Sequence, residues 1–188
     1  ELLWNPRLLC ERLADKSKNL RRLSRLKGTL AEKLDLAYLD SLELLEIVKS
    51  RLAPEVVYDV GACSGTWTIL AKACFPEALI HAFEPLSIHI NEFRNLTKGI
   101  SDITLHKAAL GAEPGIFNMH VTVPSHASSF LKITGACLRD YGVKNMREEL
   151  VNTVVIDEYA LANKLPLPDL IKLDVQGYEL EVMRGAHN

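Results

Sequence analysis

The stretch VVYDVGACSGTWTILAKACFPEALIHAFEP, from Val56 to Pro85, limits the possible folds more than any other part of this chain. A short apolar run, Val56–Val60, enters a loop marked by Gly61 and Gly65, and Thr66–Phe75 then repeats its apolar residues at helical spacing. A second short apolar run, Leu79–Phe83, ends on Glu84 and Pro85. Strands that alternate with amphipathic helices predict a parallel sheet with helical crossovers, an α/β architecture.

The alternation continues with a helix over Ser87–Thr97 and a third strand over Ile103–Leu110. There the rhythm breaks. GAEPG, Gly111–Gly115, is turn chemistry between Ile103–Leu110 and Ile116–Val123, which predicts a β-hairpin extension after the third strand. The polar loop PSHASS and a short helical segment ending near Leu150 follow, then a strand over Val151–Ile156 and a helix from Asp157 to about Lys164. LPLPD reads as a stiff linker into a buried strand, Leu170–Val175. Upstream, Leu23, Leu26, Leu30 and Leu34 recur at helical spacing, so residues 1–52 read as an N-terminal helical arm and residues 53–188 as the main domain. The arm is basic, with Arg7, Arg12, Lys16, Lys18, Arg21, Arg22, Arg25, Lys27 and Lys33. It reads foremost as the solvated face of helices packed on the main domain, and secondarily as a surface for anionic lipid or an acidic partner.

A net charge of −2 demands no polyanionic partner, and the chain has no Asn/Asp-Pro-Pro-aromatic motif of nucleic-acid methylation. The cysteines, Cys10, Cys63, Cys74 and Cys137, form no CxxC pair, which fits free thiols in the cytoplasm. No apolar run approaches the roughly 20 residues of a membrane helix. No spacing of His, Cys and acids matches a metal site.

The loop from Gly61 through Ala62, Cys63 and Ser64 to Gly65 brings backbone N–H groups and a helix N-terminus to the end of the first strand, a setting for a polar, nucleotide-like ligand. Asp59 lies just before it, and Glu84 ends the second strand, where an acid accepts both hydroxyls of a ribose. A dinucleotide loop requires G-x-G-x-x-G, but Cys63 occupies the second glycine's place and no third glycine follows Gly65. An acid at Asp59 repels a pyrophosphate but suits the ammonium group of a methionine moiety, so S-adenosylmethionine fits this loop better than NAD.

DVGACSG, AFEP and IKLDVQGYELEVMRGA, with AALG and VVIDEY between them, resemble in order and spacing the landmarks of the FkbM family of S-adenosylmethionine-dependent methyltransferases. The resemblance covers most of Val56–Ala186. It implies a class I methyltransferase (Rossmann-like) fold, a mostly parallel sheet with helices on both faces, and O-methylation of a small-molecule or glycan hydroxyl. It assigns Asp59 and the backbone of Gly61–Gly65 to the methionine end of the cofactor. Glu84, beside Pro85, goes to the ribose, and the backbone near Ala109 and Leu110 to the adenine. Asp174 and Gln176 face the methyl group and the acceptor; the family often has Glu where Gln176 stands. By their own sequence, His120, His126, Ser128 and Ser129 read foremost as polar positions of a strand end and loop, and secondarily as the lining of an acceptor pocket. In that fold the sheet continues beyond Leu170–Val175, so the C-terminal strands are expected to be missing from this sequence. Two alternatives stay open: an NAD-linked oxidoreductase, opposed by the absent glycines, and a non-catalytic module that uses its basic arm for partner contact.

Overall fold

The computed structural model describes residues 17–34, 38–132, 134–135, 139 and 142–187. Cys10, Cys137 and the basic residues Arg7, Arg12 and Lys16 lie outside the described residues. Helical residues 17–24 (α1) lead to α2, Leu39–Lys49. The main sheet contains β1 (Val56–Val60), β2 (Leu79–Phe83), β3 (Ile103–His106) and β7 (Leu170–Leu173), in the spatial order β3-β2-β1-β7 and parallel throughout. Helices α3 (Thr66–Cys74) and α4 (Ser87–Leu96) form the crossovers. The chain steps from β1 to β3 on one side and returns to pair β7 on the other, which makes the carboxyl ends of the strands beside β1 a topological switch point.

The period of two along each strand divides the core into layers. Val57 and Ile80 face α3, where Ile69, Leu70 and Cys74 meet Leu39, Leu42 and Leu45 of α2 and Leu26. Tyr58, Val60 and Phe83 face the opposite side, covered by Ile156 of α5 (Ile156–Asn163) and Val182 of α6 (Glu179–Arg184). On that side His81, His106 and Tyr159 form a buried chain, with ring nitrogens 3.0 Å apart and the tyrosine hydroxyl 3.2 Å from His106 Nδ1. Burial, and then its neighbour His81, pushes His106 down to about 4. The expected α/β fold with helices on both faces is therefore observed. Arg22 and Arg25 pair with Glu43 and Glu46 of α2, which ties these two cations of the basic arm to the protein itself.

Four local expectations are corrected. The run Ile103–Leu110 does not stay in one sheet: the Ala108 N–H donates to the His106 carbonyl (2.9 Å), and this tight turn sends β4 (Ala109–Leu110) into a second sheet. The hairpin does not form between that run and Ile116–Val123. β5 (Gly115–Val123) instead pairs antiparallel with β6 (Lys144–Val154), which lies between β5 and β4. The helical segment expected up to Leu150 is, over its described part, this β6 strand. Met146, Arg147, Glu148 and Glu149 favour helix locally, but nine cross-strand partners with β5 outweigh propensity. Finally, β7 is less buried than an interior parallel strand; Ile171 is exposed, and among the described residues β7 pairs only with β1.

Candidate functional site

At the switch point the strand ends surround a cleft of about 560 Å³, open mouth included, lined by the glycine loop, Glu84 to Leu86, Ala108 to Leu110, Met119, Phe130 and Asp174. Its floor is Glu84. The side chain is buried at 5% exposure, and both carboxylate oxygens are fixed by backbone: Cys63 N–H donates to Oε2 (2.9 Å) and Leu86 N–H to Oε1 (2.8 Å). Burial pushes this carboxyl up to about 7, against the opposing effect of the two N–H donors. Each carboxylate oxygen keeps a second lone pair for the cleft.

The glycine loop is shaped by close packing. Gly61 has φ +77°, and a Cβ there would lie 2.1 Å from the Asp174 carbonyl oxygen; Gly65 has φ +88°, and its Cβ would lie 2.7 Å from the Phe93 ring. The space that a side chain would need is filled by the end of β7 and by α4, so both glycines answer to the protein's own contacts. Cys63 adopts φ +49° between them, and its Sγ lies 3.4 Å from His89 Nδ1. Burial pushes the Cys63 thiol up and the His89 imidazole down, which keeps both neutral.

Asp59 does not open onto the cleft. It is fully buried at the end of β1, where Thr68 Oγ1 donates to Oδ2 (2.6 Å) and Lys172 Nζ to Oδ1 (3.0 Å). Ala62 is buried beneath the loop with Ala82 and Phe93, whereas Gly61, Cys63, Pro85, Ala109 and Leu110 all border the cleft. Asp174, just past β7, has a side chain 55% exposed; Gln176 Nε2 donates to its Oδ1 (2.6 Å) and Lys172 Nζ lies 3.8 Å from its Oδ2. Gln176 has φ +57° and sits in the turn held by Glu179 Oε1, which accepts the Val175 and Gly177 N–H groups. A wider groove on the far side of the loop is lined by Ser64, Thr66, Trp67, Lys172 and Gln176; Gly61, Cys63, His126 and Asp174 border both spaces. The second sheet supplies the roof. Residues after β5 fold back so that Ser129 Oγ donates to the Gln176 carbonyl (2.9 Å), bringing Ser128, His126 and Phe130 over the cleft, while His120 stays on the β5–β6 ribbon opposite Glu148.

Sequence reasoning missed Lys172, His89, Met119 and Phe130. Only Lys172 leaves a signal: a cation inside the apolar run LIKL requires a buried partner.

A buried carboxylate under an apolar slot stands at the end of the second strand of a parallel sheet, at the switch point where α/β domains place their ligand sites. Residues 59–188 match the methyltransferase FkbM domain, and the chain belongs to that family. It is similar to Hexuronic acid methyltransferase AglP of Haloferax volcanii, 28% identical over 137 residues, which cover 71% of this chain and 51% of that protein. It is also similar to Methyltransferase 1 of Beauveria bassiana, 24% identical over 143 residues, 69% of this chain and 57% of that protein. The chain thus spans about half the length of the curated relatives it matches.

Proposed function

We propose that this chain is the donor-binding part of an S-adenosylmethionine-dependent O-methyltransferase acting on a hydroxyl of a sugar or similar small molecule. The observation that carries this reading is Glu84: a buried carboxylate preset by two backbone donors, facing an apolar slot within an FkbM domain. This pair of acceptor oxygens suits a ribose diol below an adenine base. Glu84 would accept the two hydroxyls, while Leu86, Ala109, Leu110, Met119 and Phe130 enclose the base and exclude water.

When bound, S-adenosylmethionine supplies an electrophilic methyl group on a sulfonium. The chain's own task is alignment. Asp174, which borders both cleft and groove, would accept a hydrogen bond from an acceptor hydroxyl and take its proton; Gln176, an amide, would orient without taking a proton. The sugar class is supported by the hexuronic acid methyltransferase among the relatives and by the groove, where Trp67 stands beside Ser64, Thr66 and Gln176. The free thiols of Cys63 and Cys74 support a cytoplasmic setting, and among the described residues no helix is long and apolar enough to cross a membrane.

Calorimetric titration with S-adenosylmethionine, S-adenosylhomocysteine and NAD tests this reading. Both sulfur ligands are expected to bind and NAD is not. Glu84→Ala is expected to weaken them at least about a hundredfold, since two hydrogen bonds to a charged group contribute about 1.5–3 kcal/mol each. Binding of NAD alone, or unchanged affinity in the variant, refutes the assignment.

A further inference from the structure

Lys172 is the charged residue of β7, and three oxygens converge on it. Its register partner on β1 is Asp59, and it shares a face of the sheet with Asp174, two positions on. Nζ lies 3.0 Å from Asp59 Oδ1, 2.9 Å from the Gly61 carbonyl oxygen and 3.8 Å from Asp174 Oδ2. The Trp67 ring backs the ammonium at 5.7 Å. The ammonium donates hydrogen bonds to Asp59 and Gly61 and attracts Asp174 by charge alone, so one cation serves all three. Asp59 offers no oxygen to a ligand, because its side chain is 0% exposed, shut in between Thr68 and Lys172. Without the cation, two carboxylates and a carbonyl dipole would crowd one another at the point where the loop meets β7.

Resting on the methyl-donor reading of this site, we propose that Lys172 is a positioning residue for the amino-acid end of that ligand. Glu84, bonded to the Cys63 N–H, would set the ribose, and Gly61 and Asp174 border the same cleft. Lys172 draws the Gly61 carbonyl and the Asp174 carboxylate onto one charge, so loop and rim keep a single geometry before any ligand arrives. Asp59 acts only through Lys172, as the buried counter-charge that holds the ammonium in place.

Two ligands separate this role from a general loss of stability. S-adenosylhomocysteine carries the amino-acid end; 5′-methylthioadenosine lacks it but keeps ribose and base. Lys172→Met alone strands a buried carboxylate, so the first variant combines it with Asp59→Asn, removing both charges together. Lys172→Arg, which keeps the charge but not the compact ammonium, is the second. Each variant is expected to bind S-adenosylhomocysteine at least tenfold more weakly and methylthioadenosine within twofold of the parent. In the unliganded double variant, hydrogen exchange of the Ala62–Gly65 amides is expected to quicken at least tenfold while β2 stays protected. Unchanged affinity for S-adenosylhomocysteine, or equal loss for both ligands, overturns the proposal. A parent chain that binds neither ligand refutes the methyl-donor reading instead. Unchanged loop exchange in the double variant would then overturn the role of Lys172 on its own.

Discussion

The floor and the rim of the cleft each carry an acid at a strand end, yet the two are held in opposite ways. Glu84 is buried, tied by two backbone N–H groups, and pushed up to about 7. Asp174 is more than half exposed and is held by side chains, Gln176 and Lys172. Backbone donors cannot rotate away as a side-chain donor can, which suits recognition of a constant part such as a ribose. A carboxylate held by side chains at an exposed rim stays open to a second substrate and would exchange a proton with it. The contrast teaches that one strand-end acid is closed in by backbone and the other left open to solvent, although both stand on the same cleft.

This comparison can be broken at its hinge. Gly61 joins floor to rim, because its missing side chain leaves room for the Asp174 carbonyl oxygen, which would lie 2.1 Å from a Cβ there. Gly61→Ala is expected to destabilise the fold by about 3 kcal/mol or more, from the positive φ and the backbone clash together, and to lower Tm in thermal unfolding. A Tm within a degree of the parent would mean that loop and rim are not locked together.

A comparable effect is expected in the pH dependence of the floor. The folded-state value of Glu84, about 7, lies above the 4.5 of a free glutamate, so between these values the folded protein keeps a proton that the unfolded chain has lost. The stability this group contributes is fully present below about 4.5 and declines as pH rises through 7, by on the order of 3 kcal/mol. Glu84→Gln should flatten that part of the slope in denaturant titrations at successive pH values. Ribose hydroxyls donate to the ionised form, so ligand affinity should weaken as pH drops below about 7. The smallest stability effect belongs to the rim: Asp174→Asn should change unfolding free energy by less than about 0.5 kcal/mol, as exposed substitutions do. A large loss there would show that the rim is structurally fixed like the floor.

The order of strands and helices around β1 and β2 was legible because each strand is short, apolar and followed by a helical period, and because the glycines and Glu84 mark the strand ends. The second sheet was less so. Its β6 strand carries residues that favour helix, and its partner β5 is separated from it by a long connection, so no local signal announces the pairing. The break between His106 and Ala109 was invisible for a related reason: the run Ile103–Leu110 is uniformly compatible with one strand, and only competition from Thr153 and Val154 for the edges of Ala109 and Leu110 divides it.

In the site, the types and places of Glu84, Gly61, Gly65 and Asp174 follow from position alone, since an acid or glycine directly after a parallel strand must stand at the carboxyl edge of the sheet. The partners of these residues do not. Asp59 reads as a ligand for an ammonium group, and an ammonium does occupy it, but it is that of Lys172, 113 residues away. Which cation a buried carboxylate receives depends on which strand lies beside it, and that choice is made only when the sheet assembles.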